Sequence, residues 1–131
     1  MIVTDAMSLH KTDREVECPN QGFTSLRLLV KADGMGFTMT RTTVHPTKDF
    51  QLWHYKNHLE ACYCIKGHGV LKDAKGNKHT IKPGLMYALD ENDKHYFKAT
   101  DTVILICVFN PPLVGKEIHG KDGSYPECGD A

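Results

Sequence analysis

The sequence predicts an all-β protein, a jelly-roll barrel made by a single domain over residues 1–131. Short apolar or alternating runs recur along the chain and give about nine candidate strands. Gly, Pro, Asn and Asp residues separate these runs, and almost no helical periodicity is present. A chain of 131 residues suits one domain with one core. Many short strands joined by close turns are typical of sandwiches and jelly-roll barrels.

The first half of the chain gives three candidate strands after a polar start. Residues 1–20 carry no firm signal beyond a possible helical turn near Lys11. The alternating run 25–31 predicts a strand that places Leu26 and Arg27 on opposite faces. The dipeptide Asp33-Gly34 then predicts a hairpin into a second strand over 37–44. A Pro at position 46 ends that strand, and 50–54 is the next.

The second half predicts six further strands. They cover residues 59–65, 69–72, 78–81, 85–89, 95–99 and 102–110. The sequence Lys75-Gly76-Asn77 predicts a hairpin between the second and third of these. The last strand has the strongest signal, and Pro111-Pro112 ends it. The Gly- and charge-rich segment 113–131 is interpreted as a C-terminal loop or lid.

The central stretch is 55–67, because it places a carboxylate inside an apolar strand. On a two-residue period Glu60 shares its face with Cys62 and Cys64, while Ala61 and Tyr63 face the other way. A carboxylate on a small, inward face is costly unless something compensates it. A bound cation, an Arg side chain or a solvent-exposed strand end would each compensate it.

Composition excludes several classes of partner. Sixteen basic residues balance sixteen acidic ones, without a basic block, so nucleic-acid binding through phosphates is not expected. No apolar run is long enough to cross a bilayer, and no signal peptide is visible. The five cysteines are an odd number, and Cys62 and Cys64 are too close along one strand to bridge easily. A reduced, cytoplasmic location is the simplest expectation.

Two sequence motifs resemble those of the cupin superfamily of double-stranded β-helix barrels. The first cupin motif ends with a Glu, six further residues and a Gly, which matches Glu60 and Gly67. That motif also has two histidines with one residue between them, whereas this chain has His54 and His58.

The second cupin motif pairs a Pro-Gly turn with a His. Pro83-Gly84 is present, but Tyr87 takes the place of that His, and His95 follows eight residues later. A standard cupin metal site would be mostly lost unless Tyr87 and His95 replace the missing ligands. Residue types alone leave open that Tyr87 is a core residue and that His95 is solvated.

A closer resemblance, to the ectoine synthase family, covers nearly the whole chain in order. The matching stretches are Met1-Ile-Val, His54-Tyr-Lys-Asn-His-Leu-Glu-Ala, Tyr63-Cys-Ile, Pro83-Gly-Leu-Met-Tyr-Ala-Leu, Asp93-Lys-His-Tyr, Cys107-Val-Phe-Asn-Pro, Glu117-Ile-His and Asp122-Gly-Ser-Tyr. Their spacing is kept, which makes the combination specific.

The resemblance implies a metal-dependent hydro-lyase that closes N4-acetyl-L-2,4-diaminobutanoate into ectoine, a compatible solute that counters osmotic stress, with loss of water. It implies a divalent metal, expected to be Fe(II), held by Glu60, Tyr87 and His95. Two oxygens and one imidazole suit a borderline divalent ion with positions left for substrate. The family also implies a homodimer, and an exposed barrel edge commonly pairs with a second copy.

The resemblance further implies a substrate pocket and residues that transfer protons. The substrate-binding positions are Phe23, Arg27, Thr40, Thr42, Cys107 and Phe109. Proton transfer is assigned to Tyr55 and Glu117. The chain departs from the family at Phe23, where the family usually has Trp, so an apolar wall is kept but an indole N–H donor is lost. Arg27 needs a carboxylate partner, which the protein or the substrate could supply.

Two alternatives follow from the departures from the cupin motifs. The Phe23 substitution is compatible with another metal-dependent cupin, a lyase or oxygenase acting on a different small metabolite. The altered two-histidine motif is compatible with a cupin that binds a ligand without catalysis.

Overall fold

The structure is a computed structural model that describes residues 1–115, apart from the side chain of Asn20. Within this range the chain forms ten strands and three short 3-10 helices. The strands are β1 (Glu15–Cys18), β2 (Phe23–Leu29), β3 (Thr38–Val44), β4 (Gln51–Trp53), β5 (Leu59–Lys66), β6 (Gly69–Lys72), β7 (Lys78–Ile81), β8 (Met86–Leu89), β9 (His95–Ala99) and β10 (Val103–Asn110). The 3-10 helices are Ala6–Leu9, Pro19–Gln21 and Lys31–Asp33.

The strands form two antiparallel sheets that enclose the core. A six-stranded sheet has the order β1-β2-β3-β10-β5-β8, and a four-stranded sheet has the order β4-β9-β6-β7. The inner faces supply one cluster of buried side chains, which includes Phe23, Trp53, Phe97 and Leu105. The predicted all-β sandwich or barrel is therefore confirmed.

The sequence predicted nine of these strands but missed β1. Residues 15–18 alternate weakly, and Glu15 and Glu17 made the segment look like a polar loop. β1 lies at the edge of the six-stranded sheet and pairs only with β2, so it needs little apolar sequence. The predicted helical turn near Lys11 is displaced, because the 3-10 helix occupies Ala6–Leu9 instead.

Strand β5 buries every second residue, as its sequence predicted. Glu60, Cys62 and Cys64 are 5%, 2% and 1% exposed, whereas Tyr63 and Ile65 on the other face are 48% and 44% exposed. The ladder between β5 and β10 contains one register shift. Ile104 pairs with Lys66, but the next residue, Leu105, pairs with Cys64, so that Ile65 has no partner in this ladder. This irregularity keeps the inward residues of both strands on the same side.

Gly67 fixes the position of β10 relative to the end of β5. Its φ of +88° lies in the left-handed region, and a Cβ atom there would stand 2.1 Å from the carbonyl oxygen of Thr102. The backbone therefore passes the residue before β10 at a distance that only glycine allows.

Within residues 1–115, no helix is long and apolar enough to span a membrane.

The Gly67→Ala substitution should lower the free energy of unfolding strongly. Left-handed strain contributes about 1–2 kcal/mol, and the clash with the Thr102 backbone adds about 1–3 kcal/mol. Gly76→Ala is the matched control, because Gly76 has the same φ of +88° with nothing within 4 Å of the added Cβ. The Gly76→Ala substitution should lower the free energy of unfolding only by the contribution of the left-handed strain. Urea unfolding measures the free energy of unfolding of both variants. Equal losses of this free energy would show that the close approach at Gly67 contributes nothing.

Candidate functional site

A row of polar side chains crosses the inner face of the six-stranded sheet. Arg27 on β2 pairs with Thr40 on β3, and Thr40 pairs with Cys107 on β10. Cys107 pairs on its other side with Cys62 on β5, which in turn pairs with Tyr87 on β8. Residues directly opposite in adjacent strands lie about 4.5–5.5 Å apart at Cβ. Five strands therefore bring five residues that are distant in sequence into one continuous line.

Glu60 lies two residues before Cys62 on the same face of β5, opposite Phe109 on β10. Its carboxyl is buried, and burial raises its pKa well above the ordinary value. The neighbouring Cys107 raises the pKa further, and the charge of Arg27 offsets only part of the effect. The side chain thus favours its protonated form unless a cation approaches.

Tyr87 is half-buried as a residue, with its hydroxyl directed inward beside Cys62. Burial raises the pKa of this phenol well above its ordinary value, and the neighbouring Cys62 and Glu60 add to the effect. A cation would have to reverse this shift for the phenol to bind as phenolate.

His95 begins β9 on the opposite sheet and is 1% exposed. Its Nδ1 donates to the carbonyl of Asp93 at 3.0 Å, and among the described residues its Nε2 has no hydrogen-bond partner. Burial lowers the pKa of His95 to about 4, so the ring is neutral at pH 7 and Nε2 carries a free lone pair. A backbone carbonyl on one ring nitrogen and an open lone pair on the other is the usual state of a metal-binding histidine.

The structure brings the three predicted metal ligands together only in pairs, Glu60 with Tyr87 and Tyr87 with His95. Glu60 and Tyr87 line the same narrow cavity between the sheets. His95 lies behind Tyr87, with ring centroids 6.4 Å apart, and its ring is 5.6 Å from that of Tyr55. The tightest group of His, Cys, Asp and Glu donor atoms in the described chain is a different one, formed by Glu60, Cys62 and Cys107.

The predicted substrate-binding hydroxyls form a chain of hydrogen bonds that starts at Arg27. The Arg27 guanidinium is fully buried, and its Nε donates to Ser25 Oγ at 3.0 Å. Thr42 Oγ1 donates to the same oxygen at 3.3 Å, and the hydroxyls of Thr40 and Thr42 are 2.9 Å apart. The three hydroxyl-bearing residues line the cavity. Arg27 does not line it and is connected to it through Ser25.

Aromatic rings form the remaining walls of the cavity. Phe23 packs edge-on against Trp53 at 5.8 Å between ring centroids, and Tyr55 packs edge-on against Phe109 at 5.3 Å. Phe23 thus keeps the apolar wall expected at that position. The predicted proton-transfer residue Tyr55 lines the cavity, whereas Glu117 lies outside the described residues.

Sequence reasoning gave no site role to three cavity-lining residues, Ser25, Trp53 and Leu105. Ser25 lies two residues before Arg27 on the same strand face, so its period-two spacing was a usable signal. Leu105 lies in the apolar strand β10, where its sequence is typical of an ordinary core residue. Trp53 offered no such signal, because its place in the cavity depends on how the second sheet packs against the first.

Asn92 is a positioning residue that was also missed. Its side-chain nitrogen donates to the carbonyls of Tyr55 and His58 at 3.0 Å each, and its own carbonyl lies 3.0 Å from His54 Nε2. His58 Nδ1 in turn donates to the carbonyl of Pro111 at 2.7 Å. These contacts tie the turn before His95 to the loop before Glu60.

Comparison with known proteins gives a consistent result over the whole chain. A sequence model of the family described as ectoine synthase matches residues 1–128. The L-ectoine synthase of Hyphomonas neptunium is 49% identical over 129 residues, which are 96% of this chain and 93% of that protein. The L-ectoine synthase of a Marinomonas species is 46% identical over 126 residues, 95% of this chain and 97% of that protein.

Solved structures agree with these sequence matches. The crystal structure of ectoine synthase from P. lautus has a TM-score of 0.82 at 41% identity, covering 88% of this chain and 81% of that one. A sugar phosphate isomerase of the cupin superfamily from Silicibacter pomeroyi has a TM-score of 0.53 at 24% identity, covering 68% of this chain and 59% of that one. The second likeness bears on the fold alone, and with the first it confirms the predicted cupin-type barrel.

Proposed function

The chain belongs to the ectoine synthase family, and from this premise we propose how its barrel closes N4-acetyl-L-2,4-diaminobutanoate into ectoine. The enzyme is a hydro-lyase of ectoine biosynthesis. The observation that carries the proposed mechanism is the polar row of Arg27, Thr40, Cys107, Cys62 and Tyr87 beside the buried Glu60. It offers a positive charge at one end and metal-type donors at the other.

We propose that Glu60, Tyr87 and His95 hold a divalent metal, and that this metal is Fe(II). The open lone pair of the buried His95 and the only partly compensated burial of Glu60 support this assignment. When bound, such an ion acts as a Lewis acid toward the acetamide carbonyl of the substrate.

Arg27 binds the substrate carboxylate in this proposal, and the hydroxyls of Thr40 and Thr42 orient the bound molecule. A guanidinium fork suits a carboxylate, and its burial strengthens the interaction because water does not compete. Fixing the carboxylate of the substrate places the α-amine of the substrate near its acetamide carbon. Holding two reacting groups in this way can remove several kcal/mol of the barrier, up to about 7–11 kcal/mol in favourable cases.

Ring closure forms a bond from the α-amine nitrogen to the acetamide carbon and breaks the bond from that carbon to oxygen. The oxygen leaves as water with two protons that the nitrogens give up. We assign this proton transfer to Tyr55 and Glu117. Tyr55 is 4% exposed, and its ring packs on Phe109 and His95, which supports the role. The aromatic walls exclude bulk water, which favours a dehydration.

Beyond Gly115, the predicted C-terminal loop or lid over 113–131 lies outside the described residues. At the end of the described chain, the Leu113 amide donates to Thr38 Oγ1 at 2.8 Å, and the Leu113 carbonyl accepts from the Lys31 amide at 2.7 Å.

We propose a cytoplasmic location, which agrees with the free thiols of Cys18, Cys62, Cys64 and Cys107.

Glu60→Gln should abolish both bound iron and ectoine formation, each by more than about 100-fold, because it replaces an anionic ligand by a neutral amide. Metal analysis of the purified protein and a product assay on N4-acetyl-L-2,4-diaminobutanoate measure the two effects. Glu17→Gln, on the exposed face of β1, is the control and should match the parent protein. Full turnover by a metal-free Glu60→Gln protein would refute the mechanism.

Arg27→Met should raise KM by about 10- to 100-fold, which corresponds to losing a charge-assisted contact of about 1.5–3 kcal/mol. Arg27→Lys should recover part of this loss, because it keeps the charge without the fork. Arg41→Met is the control, since Arg41 lies one residue from Thr40 and Thr42 on β3 and so faces the other way. An unchanged KM in Arg27→Met would place the substrate carboxylate elsewhere.

We also propose a homodimer. Strands β1 and β8 end the six-stranded sheet without a partner strand in the described chain, and Tyr63 and Met86 expose apolar side chains on its outer face. Such edges and faces commonly associate with a second copy. Light scattering on the eluted peak of a sizing column should give twice the 14.7 kDa of one chain. A mass of one chain at micromolar concentration would contradict the proposal.

A further inference from the structure

Glu60, Cys62 and Cys107 form a compact group of potential ligands at the centre of the polar row. A carboxylate oxygen and the two sulfur atoms all lie within 4.8 Å of one another, and the two sulfurs are 3.4 Å apart. The three side chains are 5%, 2% and 3% exposed. No other group of three or more His, Cys, Asp and Glu residues in the described chain meets the same condition.

The sheet register produces this grouping directly. Cys62 and Cys107 are opposite each other in the β5–β10 ladder, and Glu60 precedes Cys62 by one inward position. A tetrahedral ion with bonds of about 2.3 Å to sulfur would separate its two sulfur ligands by about 3.8 Å. The observed 3.4 Å separation thus needs only a small outward movement of the two thiols.

The donor set of this group differs from that of Glu60, Tyr87 and His95. Two oxygens and an imidazole suit a borderline ion, and replacing two of these donors by sulfur shifts the preference toward softer ions. The group also explains a costly burial, because a cation would compensate a carboxylate that is only 5% exposed.

We propose that Glu60, Cys62 and Cys107 form a carboxylate–dithiolate site for a borderline or soft divalent cation such as zinc, cobalt or cadmium. The site shares Glu60 with the proposed iron site but goes beyond the proposed function, since it does not require His95 or the cyclisation reaction. Each thiol releases a proton when its sulfur binds the ion, so no oxidant or reductant is needed. An ion held here withdraws Cys107 from the substrate cavity.

Cobalt(II) is the probe that tests this site, because thiolate ligands give it an intense near-ultraviolet charge-transfer absorption that oxygen and nitrogen ligands do not give. The full-length protein, stripped of metal and reduced, is titrated with cobalt(II) without oxygen. We expect a saturable sulfur-to-cobalt band with one equivalent. Cys62→Ser, which keeps the size of the side chain, should lose at least half of the band intensity, and Cys62→Val should do the same.

Cys64→Ser is the matched control, because Cys64 is buried on the same face of β5 but lies outside the group. Its cobalt band should equal that of the parent protein. His95→Ala should keep the band while losing ectoine formation, which separates this site from the proposed iron site. A parent protein without the band, or a band that survives both Cys62 substitutions, overturns the proposal whatever the product assay shows.

Discussion

The register of β10 between β3 and β5 is the constraint on which the site depends. It places Cys107 opposite Thr40 on one side and Cys62 on the other, and so joins the proposed substrate-binding end of the row to the proposed metal-binding end. Side chains alternate with a period of two, so a slip of one residue would turn the inner face of β10 outward. Two features hold that register. One is Gly67, where the end of β5 meets the residue before β10, and the other is the irregularity at Ile65.

Burial then sets the electrostatics of the row. The barrel raises the pKa of Glu60 and Tyr87 and lowers that of His95, so each group is driven toward its neutral form. A divalent cation reverses the preference of the two acids and uses the neutral imidazole as it stands. The same burial that makes the carboxylate costly would therefore be compensated by a bound cation.

Much of this arrangement could be predicted from the sequence, because it depends on local periodicity. The inward face of β5, the hairpin at Gly76 and the last strand follow from alternation and turn residues. Strand β1 could not be predicted, since an edge strand carries little apolar signal. The pairing of Cys62 with Cys107 could not either, because register between strands distant in sequence is set by packing of the whole sheet. The ligand set of Glu60, Tyr87 and His95 came from family resemblance, as spacing alone left Tyr87 and His95 open.

The carboxylate of Glu60 lies between two sets of side chains, and either set could hold a cation together with it. On one side is the phenol of Tyr87, with the imidazole of His95 next to that phenol, and on the other side are two thiols held together by the strand register. If both proposed sites exist, one carboxylate cannot complete both sets at full strength, so an ion bound by sulfur would compete with an ion bound by Tyr87 and His95. Cys62 would decide this competition, since Cys107 alone offers a single sulfur and the hydroxyls of Thr40 and Thr42 already contact it. The proposed sites would thus couple the choice of metal to the side chain two residues after the carboxylate.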